Sequence, residues 1–438
     1  MSAILIAGTH SGVGKTTVAM ALLAAFTRRC TVAPFKIGPD YIDPSHHTAI
    51  CGRPSRNLDT FMMGEDGVSK TFASASAGAD ICVIEGAMGL YDGMGDTDIA
   101  SAAHVARVLD VPVILVVDVK GMSRSAAALI KGYHDFDPRI NVAGVILNRV
   151  GSPKHGEMIR KAIQQELSVP VLGEIPKSSH ITLPSRHLGL YMAHEGYHMD
   201  YVPALKELAE NCMDLSAIRD IAEQTGEREI VVGEDHAKHN VAIGIARDPA
   251  FCFYYADMID SLKRHADLVF FSPLADDLPD VDGLYFGGGY PELYAQELSA
   301  QSRIRKQIRD AAAGGMPIYG ECGGMIYLCE SLVDQEGASY PMAGVLPGET
   351  EMTRRLQALG YTDASVSETP VVRAGRIRGH EFHYSRTLCA PDARFAYLMN
   401  RGKGIRDGMD GMVEHATLGS YMHAPPSFDV TRFVESCR

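Results

Sequence analysis

The chain has 438 residues, 46% of them hydrophobic and 22% charged, a composition that fits two or three globular domains better than one. Its 41 Lys and Arg against 54 Asp and Glu give a formal charge of −13, which excludes a general nucleic-acid or anionic-membrane binder and leaves any anionic ligand to local groups. No apolar run reaches the length of a membrane span, and nine scattered cysteines without a CxxC pair point to reduced thiols in a cytoplasm.

"AILIAG" at the start reads as a buried first strand, not a signal peptide. "KTTVAMALLAAFTRR" has helical spacing, and "CTVAPFK" is strand-like. "DICVIEGAMG", "VPVILVVDV", "INVAGVILNRV" and "VPVLGEIP" repeat the plan. Strands apolar on both faces and separated by helices predict a parallel sheet covered on both sides. Helical pieces such as "VPALKELAENCMDLSAIRDIAEQ" then dominate, and only the short "REIVVG" reads otherwise. A second alternation runs through "HNVAIGIARD", "ADLVFFSP", "VDGLYFGGG", "MPIYGECGG", "RIRGHEFHYS" and "GMVEHATLGSYMHAPP". The expected organisation is a P-loop domain over 1–190, a helical connector over 191–239 and a second domain over 240–438. Both domains are expected to be α/β, each a mainly parallel sheet flanked by helices.

"GTHSGVGKTT" lies between a strand and a helix, where a phosphate loop must sit. Gly12, Val13, Gly14, Lys15, Thr16 and Thr17 would present backbone N–H groups, one positive charge and a hydroxyl for magnesium. The strict GxxxxGK[ST] pattern wants glycine at position 9, where this chain has Thr9. That departure resembles the dethiobiotin-synthetase-like branch of P-loop proteins. A magnesium site needs carboxylates at neighbouring strand ends, and Glu85 and Asp59 match that branch's acidic positions, with Asp92 and Asp43 as weaker candidates. Lys36 ends the next strand as a second phosphate contact, and Asn148 in "ILNRV" stands where an amide could read adenine. Each has a plainer reading: a solvated strand end for Glu85, a helix cap for Asp59, a turn for Asn148.

Cys322 stands on a glycine-flanked strand-to-helix turn, a position that exposes a nucleophile beside a helix N-terminus and is expected to favour its thiolate. Backbone N–H groups of Gly288, Gly289 and Gly323 could hold an oxyanion, and His423 in "GSYMHAPP" is a candidate base. The set resembles the class I glutamine amidotransferase domain. Many relatives carry a glutamate two residues after the histidine; here that position is Pro425, so the third member is open, with Glu381 one candidate. His380 and His383, three apart on a strand, face opposite sides and do not read as a metal pair.

A phosphate site and an ammonia-producing site on one chain imply activation of a carboxylate by ATP and its conversion to an amide. "FKIGPDYIDPSHH", "RNLDTFM", "EGAMGLYDG", "GGGYPE", "YGECGGMIYL" and "GHEFHYS" resemble the cobyrinate a,c-diamide synthase family over nearly the whole chain. The resemblance implies magnesium, ATP, glutamine and a corrinoid or related tetrapyrrole with acetate arms, in cobalamin biosynthesis, with a homodimer left open. Asp40 and Tyr41, in a proline-stiffened loop at the strand ends, are the expected substrate contacts. Hydrogenobyrinate and nickel-sirohydrochlorin enzymes are the near rivals. A regulatory P-loop ATPase with a degenerate amidotransferase domain is the rival of another class.

Overall fold

A computed structural model describes residues 2–177, 192–193, 200–225 and 240–438. The chain divides into two compact units, Met1–Gly233 and Glu234–Arg438.

The first unit runs β1 (Ser2–Gly8), α1 (Lys15–Phe26), β2 (Val32–Ile37), α2 (Ile42–Cys51), β3 (Arg56–Leu58), α3 (Gly64–Ala75), β4 (Ile81–Glu85) and α4 (Ala102–Leu109). It continues with β5 (Val113–Asp118), α5 (Ser125–Phe136), β6 (Val142–Val150), α6 (Pro153–Glu166), β7 (Val171–Pro176), α7 (Tyr201–Cys212) and α8 (Leu215–Ala222). The strands form one parallel sheet in the order β3-β2-β4-β1-β5-β6-β7. Alternation along β1 explains the layers. Ala3, Leu5 and Ala7 join a core with residues of α3 to α6, while Ile4 and Ile6 join a second core with α1, α7 and α8. A sheet buried on both faces needs strands without polar alternation, which is what the apolar runs supply.

The helices from the stretch read as a connector pack into this unit. Leu205, Ile218 and Ala222 are wholly buried in the α1 core, and the Thr225 hydroxyl donates to the Ala3 carbonyl at 2.9 Å. Leu205 and Ile218 each contribute about 2 kcal/mol of burial. The strand read at 228–233 lies outside the described residues. Among the described residues no helix is long and apolar enough to cross a membrane.

The second unit begins with β8 (Ala242–Ala246), α9 (Ala256–Lys263), β9 (Asp267–Phe271), β10 (Gly283–Phe286), α10 (Ala295–Ala300), α11 (Ser302–Ala313), β11 (Ile318–Glu321) and α12 (Gly323–Leu328). There follow β12 (Cys329–Val333), β13 (Ser339–Pro341), β14 (Leu346–Met352), β15 (Ala358–Val366), β16 (Gly375–His383), β17 (Ser385–Cys389), β18 (Arg394–Arg401), β19 (Met409–Glu414), β20 (Thr417–Ser420) and α13 (Thr431–Ser436). A nine-stranded sheet has the order β16-β15-β18-β19-β20-β11-β10-β8-β9. From β20 to β9 its neighbours are parallel; from β16 to β20 they are antiparallel. A four-stranded sheet, β13-β12-β14-β17, stands apart from it. The parallel half matches the predicted pattern, and the antiparallel half is an extension that apolar runs do not announce.

Candidate active site

In the first unit, β1 ends at Gly8 and α1 begins at Lys15, so residues 9–14 must turn tightly. Gly14 has φ +105°, and a side chain there would lie 2.3 Å from the Asn148 amide nitrogen. The Asn148 amide donates to the Val13 carbonyl at 2.7 Å, so Asn148 braces the loop. Lys15 Nζ donates to the His10 carbonyl at 3.2 Å. Burial, with the nearby Lys36 charge, lowers its pKa to about 8. The Thr16 hydroxyl donates to Glu85 Oε1 at 2.6 Å.

Pairing of β2 with β4 sets Lys36 opposite Glu85. Lys36 Nζ lies 2.8 Å from Glu85 Oε1, 2.5 Å from Asp43 Oδ2 and 3.7 Å from Asp40 Oδ2. The cation expected at phosphate is thus enclosed by three carboxylates. Burial opposes its charge, but the carboxylates outweigh burial and hold it protonated. Burial also works against the Glu85 charge; Lys36 and His47 reverse this and hold its carboxyl well below the usual range. Burial and the adjacent Asp40 push Asp43 the other way. His47, which sequence reasoning missed, donates from Nε2 to Glu85 Oε2 at 2.8 Å and has Ser55 Oγ 3.4 Å from Nδ1. A signal existed: Asp43 and His47 are four apart on α2 and so share a face.

Asp59, fully buried just past β3, accepts the Phe61 and Met62 N–H groups on Oδ1, each at 2.9 Å. Asp40 Oδ1 accepts the Ile42 and Asp43 N–H groups at 2.8 and 3.1 Å, capping the start of α2. Asp92 accepts the Gly89 N–H at 2.8 Å. The structure therefore brings Thr16, Lys36 and Glu85 together, with Asp43 and, farther from the lysine, Asp40 beside them, and gives Asp59 and Asp92 local turns to hold.

In the second unit, β10, β11 and β20 are adjacent parallel strands, so the residues after each reach one sheet edge. Cys322 follows β11 with φ +46°, a strained conformation for a side-chain-bearing residue, and it starts the six-residue α12. A side chain at Gly324 would stand 2.2 Å from the Phe286 carbonyl oxygen, so α12 approaches β10 only through glycine. A side chain on Gly288 would stand 2.4 Å from His423 Cε1, and one on Gly323 would stand 3.0 Å from the Gly289 nitrogen. Gly288, Gly289, Gly323 and His423 are therefore neighbours around Cys322.

The thiol departs from expectation. Burial, followed by the Glu292 charge, pushes it up to about 12, although it stands at the start of a helix. Burial likewise lowers His423 to about 3, so the resting pair is a thiol beside a neutral imidazole. The carboxylate facing His423 is Glu321, the residue before the nucleophile, whose Oε2 is 3.9 Å from Nδ1. It accepts Tyr319 Oη at 2.7 Å, the Ala424 N–H at 2.9 Å and Tyr285 Oη at 3.0 Å. Burial still pushes Glu321 up to about 7. Glu381, the other candidate, accepts the Lys403 and Gly404 N–H groups at 2.5 and 3.2 Å. His380 stacks on His423 with ring centroids 4.8 Å apart, while His383 stacks on Tyr421. Among the described residues no group of three or more His, Cys, Asp and Glu is arranged to hold a metal ion.

The profile of the CobQ/CobB/MinD/ParA nucleotide binding domain matches residues 4–190, and that of the CobB/CobQ-like glutamine amidotransferase domain matches residues 242–428. A protein of Archaeoglobus fulgidus named cobyrinate a,c-diamide synthase is 43% identical over 429 residues, covering 96% of this chain and 93% of its own. Proteins of the same name from Caldanaerobacter subterraneus subsp. tengcongensis and Methanosarcina barkeri are 39% and 41% identical. They cover 99% and 96% of this chain and 98% and 92% of their own lengths.

Proposed function

This chain belongs to the cobyrinate a,c-diamide synthase family, and from that premise we propose how it amidates the a and c acetate carboxylates of cobyrinate. It is a nucleotide-using ligase that forms C–N bonds with glutamine as amido donor, in cobalamin biosynthesis. The observation that carries the reading is near-full-length identity to such enzymes, joined to a phosphate loop and a Cys322–His423–Glu321 set on one chain. That set counts against a degenerate amidotransferase domain.

ATP lies along the backbone of residues 12–17, with Lys15 on the transferred phosphate and Asn148 bracing the loop. An acetate oxygen of the macrocycle attacks the γ-phosphorus, giving an acyl phosphate and ADP. Ammonia attacks the acyl carbon, inorganic phosphate leaves, and an amide remains. Thr16 and Glu85, with Asp59, would hold magnesium: they are hard oxygen donors, and the buried Glu85 carboxylate is kept ionised. Bound there, that ion would neutralise charge on the phosphates. Lys36 sets Glu85 and Asp43 in place, and Asp40 and Tyr41 at the start of α2 position the macrocycle.

In the second unit, Cys322 passes its proton to His423 as sulfur attacks the glutamine amide carbon. N–H groups of Gly288, Gly289 and Gly323 stabilise the oxyanion. Ammonia leaves with the proton from His423, and water cleaves the thioester to glutamate. Because thiol and imidazole rest uncharged, this transfer occurs as the substrate arrives. Cytoplasm is the proposed compartment, where the nine unpaired cysteines stay reduced.

Parallel incubation with cobyrinate, hydrogenobyrinate and nickel-sirohydrochlorin, ¹⁵N-amide glutamine and ATP tests the reading by mass spectrometry. Two labelled nitrogens on cobyrinate are expected. Label only on another macrocycle would reassign the substrate, and no glutamine hydrolysis at all would remove the reaction class.

A further inference from the structure

The "GHEFHYS" segment holds two side chains that the mechanism above leaves unused. His383 Nδ1 lies 2.8 Å from the Ser385 carbonyl, an acceptor only, so Nδ1 carries the proton. The ring lies flat on Tyr421, centroids 3.7 Å apart and planes 5° apart, which fixes its orientation. Burial lowers its pKa to about 4, so the ring is neutral and Nε2 presents a lone pair. That nitrogen is buried and has no hydrogen-bond partner among the described residues. A buried acceptor left alone is costly.

Across from Nε2, at 4.0 Å, is Glu381 Oε2. Two acceptors facing each other at that distance cannot bond to one another. A single nitrogen bearing several hydrogens, about 2.8 Å from each, bonds to both. Charge narrows the choice. The Glu381 side chain is 4% exposed, and its close donors are the neutral Lys403 and Gly404 N–H groups. The Lys403 ammonium is turned to Gln357, 2.9 Å from its Oε1. Asp410, fully buried, is close enough that Glu381 is among the causes holding its carboxyl at about 7, after burial itself. The Lys403 charge still acts on His383, but among the described residues no cationic side chain bonds to the Glu381 carboxyl, which leaves that place to a ligand cation. Sodium or potassium would satisfy the carboxylate, but hard cations prefer oxygen to an imidazole nitrogen. Phe382 stands between the two residues, and its carbonyl lies 3.9 Å from Cys322 Sγ. His383 is also among the groups lowering the His423 pKa.

We propose that Glu381 Oε2 and His383 Nε2 form an ammonium site: the ammonia released from glutamine beside Cys322 takes up there the proton that the new glutamate carboxyl sheds when water cleaves the thioester, and gives that proton to water when it leaves the site to be used. This rests on the amidotransferase reading, since that reaction supplies the ligand.

The measured quantity is amide formed per glutamine hydrolysed by the full chain with ATP and cobyrinate. His383→Phe keeps a flat ring against Tyr421 and removes the acceptor. Its ratio is expected to fall at least about threefold, with the balance appearing as free ammonium; an unchanged ratio overturns the site. Because the reading is a ratio, a slower glutaminase does not obscure it. Should that variant not fold, Glu381→Gln replaces it: the new NH₂ bonds to Nε2 in place of ammonium, the same fall is expected, and an unchanged ratio again overturns the site. On the wild-type protein, crystals soaked in thallium(I), an ammonium-like cation, should show an anomalous peak between the two side chains. Absence of a peak there overturns the proposal. If the wild type hydrolyses no glutamine, the amidotransferase reading falls while the thallium result still decides the site.

Discussion

Glu85 and Glu321 are both buried carboxyl groups at the ends of parallel strands beside a strand-to-helix turn, and their protons are held in opposite ways. Glu85 touches Lys36, His47 and the Thr16 hydroxyl, and it stays ionised. Among the described residues Glu321 has only neutral donors within hydrogen-bond reach, Tyr319, Tyr285 and the Ala424 N–H, and burial lifts it to about 7. Burial is the same in both; the difference is a cation within bonding distance. The phosphate end is thus assembled with its charges in place, whereas the cysteine end rests neutral and separates charge only during reaction.

Mutations that separate the two ends test this contrast, and the largest effect belongs to the nucleophile. Cys322→Ser should cut glutamine-dependent amidation by about 10⁴-fold or more. Amidation from added ammonium salts should stay within about threefold, since the thiol takes no part in it. Equal loss with both donors, measured by chromatography of the amides, would merge two roles that are kept separate here. Next in size, Lys15→Ala should lower amidation by about 10²- to 10³-fold whichever donor is supplied, the cost of losing one positive group at a developing phosphate charge. Near-normal ATP turnover would remove the lysine from the phosphates.

What could be read in advance follows the same division. "AILIAG" and "DICVIEGAMG" are apolar on both faces because the sheet is covered on both sides, so β1 and β4 were legible. The glycines around Lys15 and Cys322 were legible because tight turns leave few alternatives. Which acid faces which base was not, because it depends on strands far apart in the chain. Glu321 sits inside "YGECGG", yet its link to His423 needs β11 beside β20. Helix-terminus reasoning for Cys322 pointed to a thiolate and met a closed, six-residue helix where burial dominates. In the antiparallel half of the second sheet, β16 was legible in "RIRGHEFHYS", whereas β15 and β18 were hidden, because "ALGYTDASV" and "RFAYLMNR" lack the clean alternation expected of a one-sided strand.

The third expected effect is on stability. Glu85→Gln removes the charge that Lys36 and His47 share, and breaking a buried pair costs about 3 kcal/mol. Since the folded carboxyl is held below its unfolded value, its contribution is complete above the unfolded pKa and is lost as pH falls through the folded one. The destabilisation of Glu85→Gln relative to wild type should therefore be full at pH 7 and shrink in acid. A melting-temperature deficit that is the same at pH 7 and in acid would break the contrast from the Glu85 side.

The smallest effect has the opposite sign. Glu321 has a folded value of about 7, above its unfolded value. Between the two, the folded chain keeps a proton that the unfolded chain has lost, so its stability declines as pH rises through this window. Above pH 7 the full cost of an ionised, buried carboxylate is present. Glutamine in its place carries no charge to bury. Its oxygen can still accept Tyr319 and the Ala424 N–H, and its NH₂ can donate to Tyr285, whose hydroxyl already has Met258 Sδ at 3.1 Å as an alternative acceptor. Glu321→Gln should therefore be close to neutral at pH 5 and stabilising at pH 8, by on the order of 2 kcal/mol or a few degrees in melting temperature. The same variant should slow glutamine hydrolysis, because the carboxyl that faces His423 is gone. Thermal melts of wild type and variant at both pH values decide the matter. A gain that does not grow with pH would mean that Glu321 is not held protonated by burial, and the contrast with Glu85 would fail.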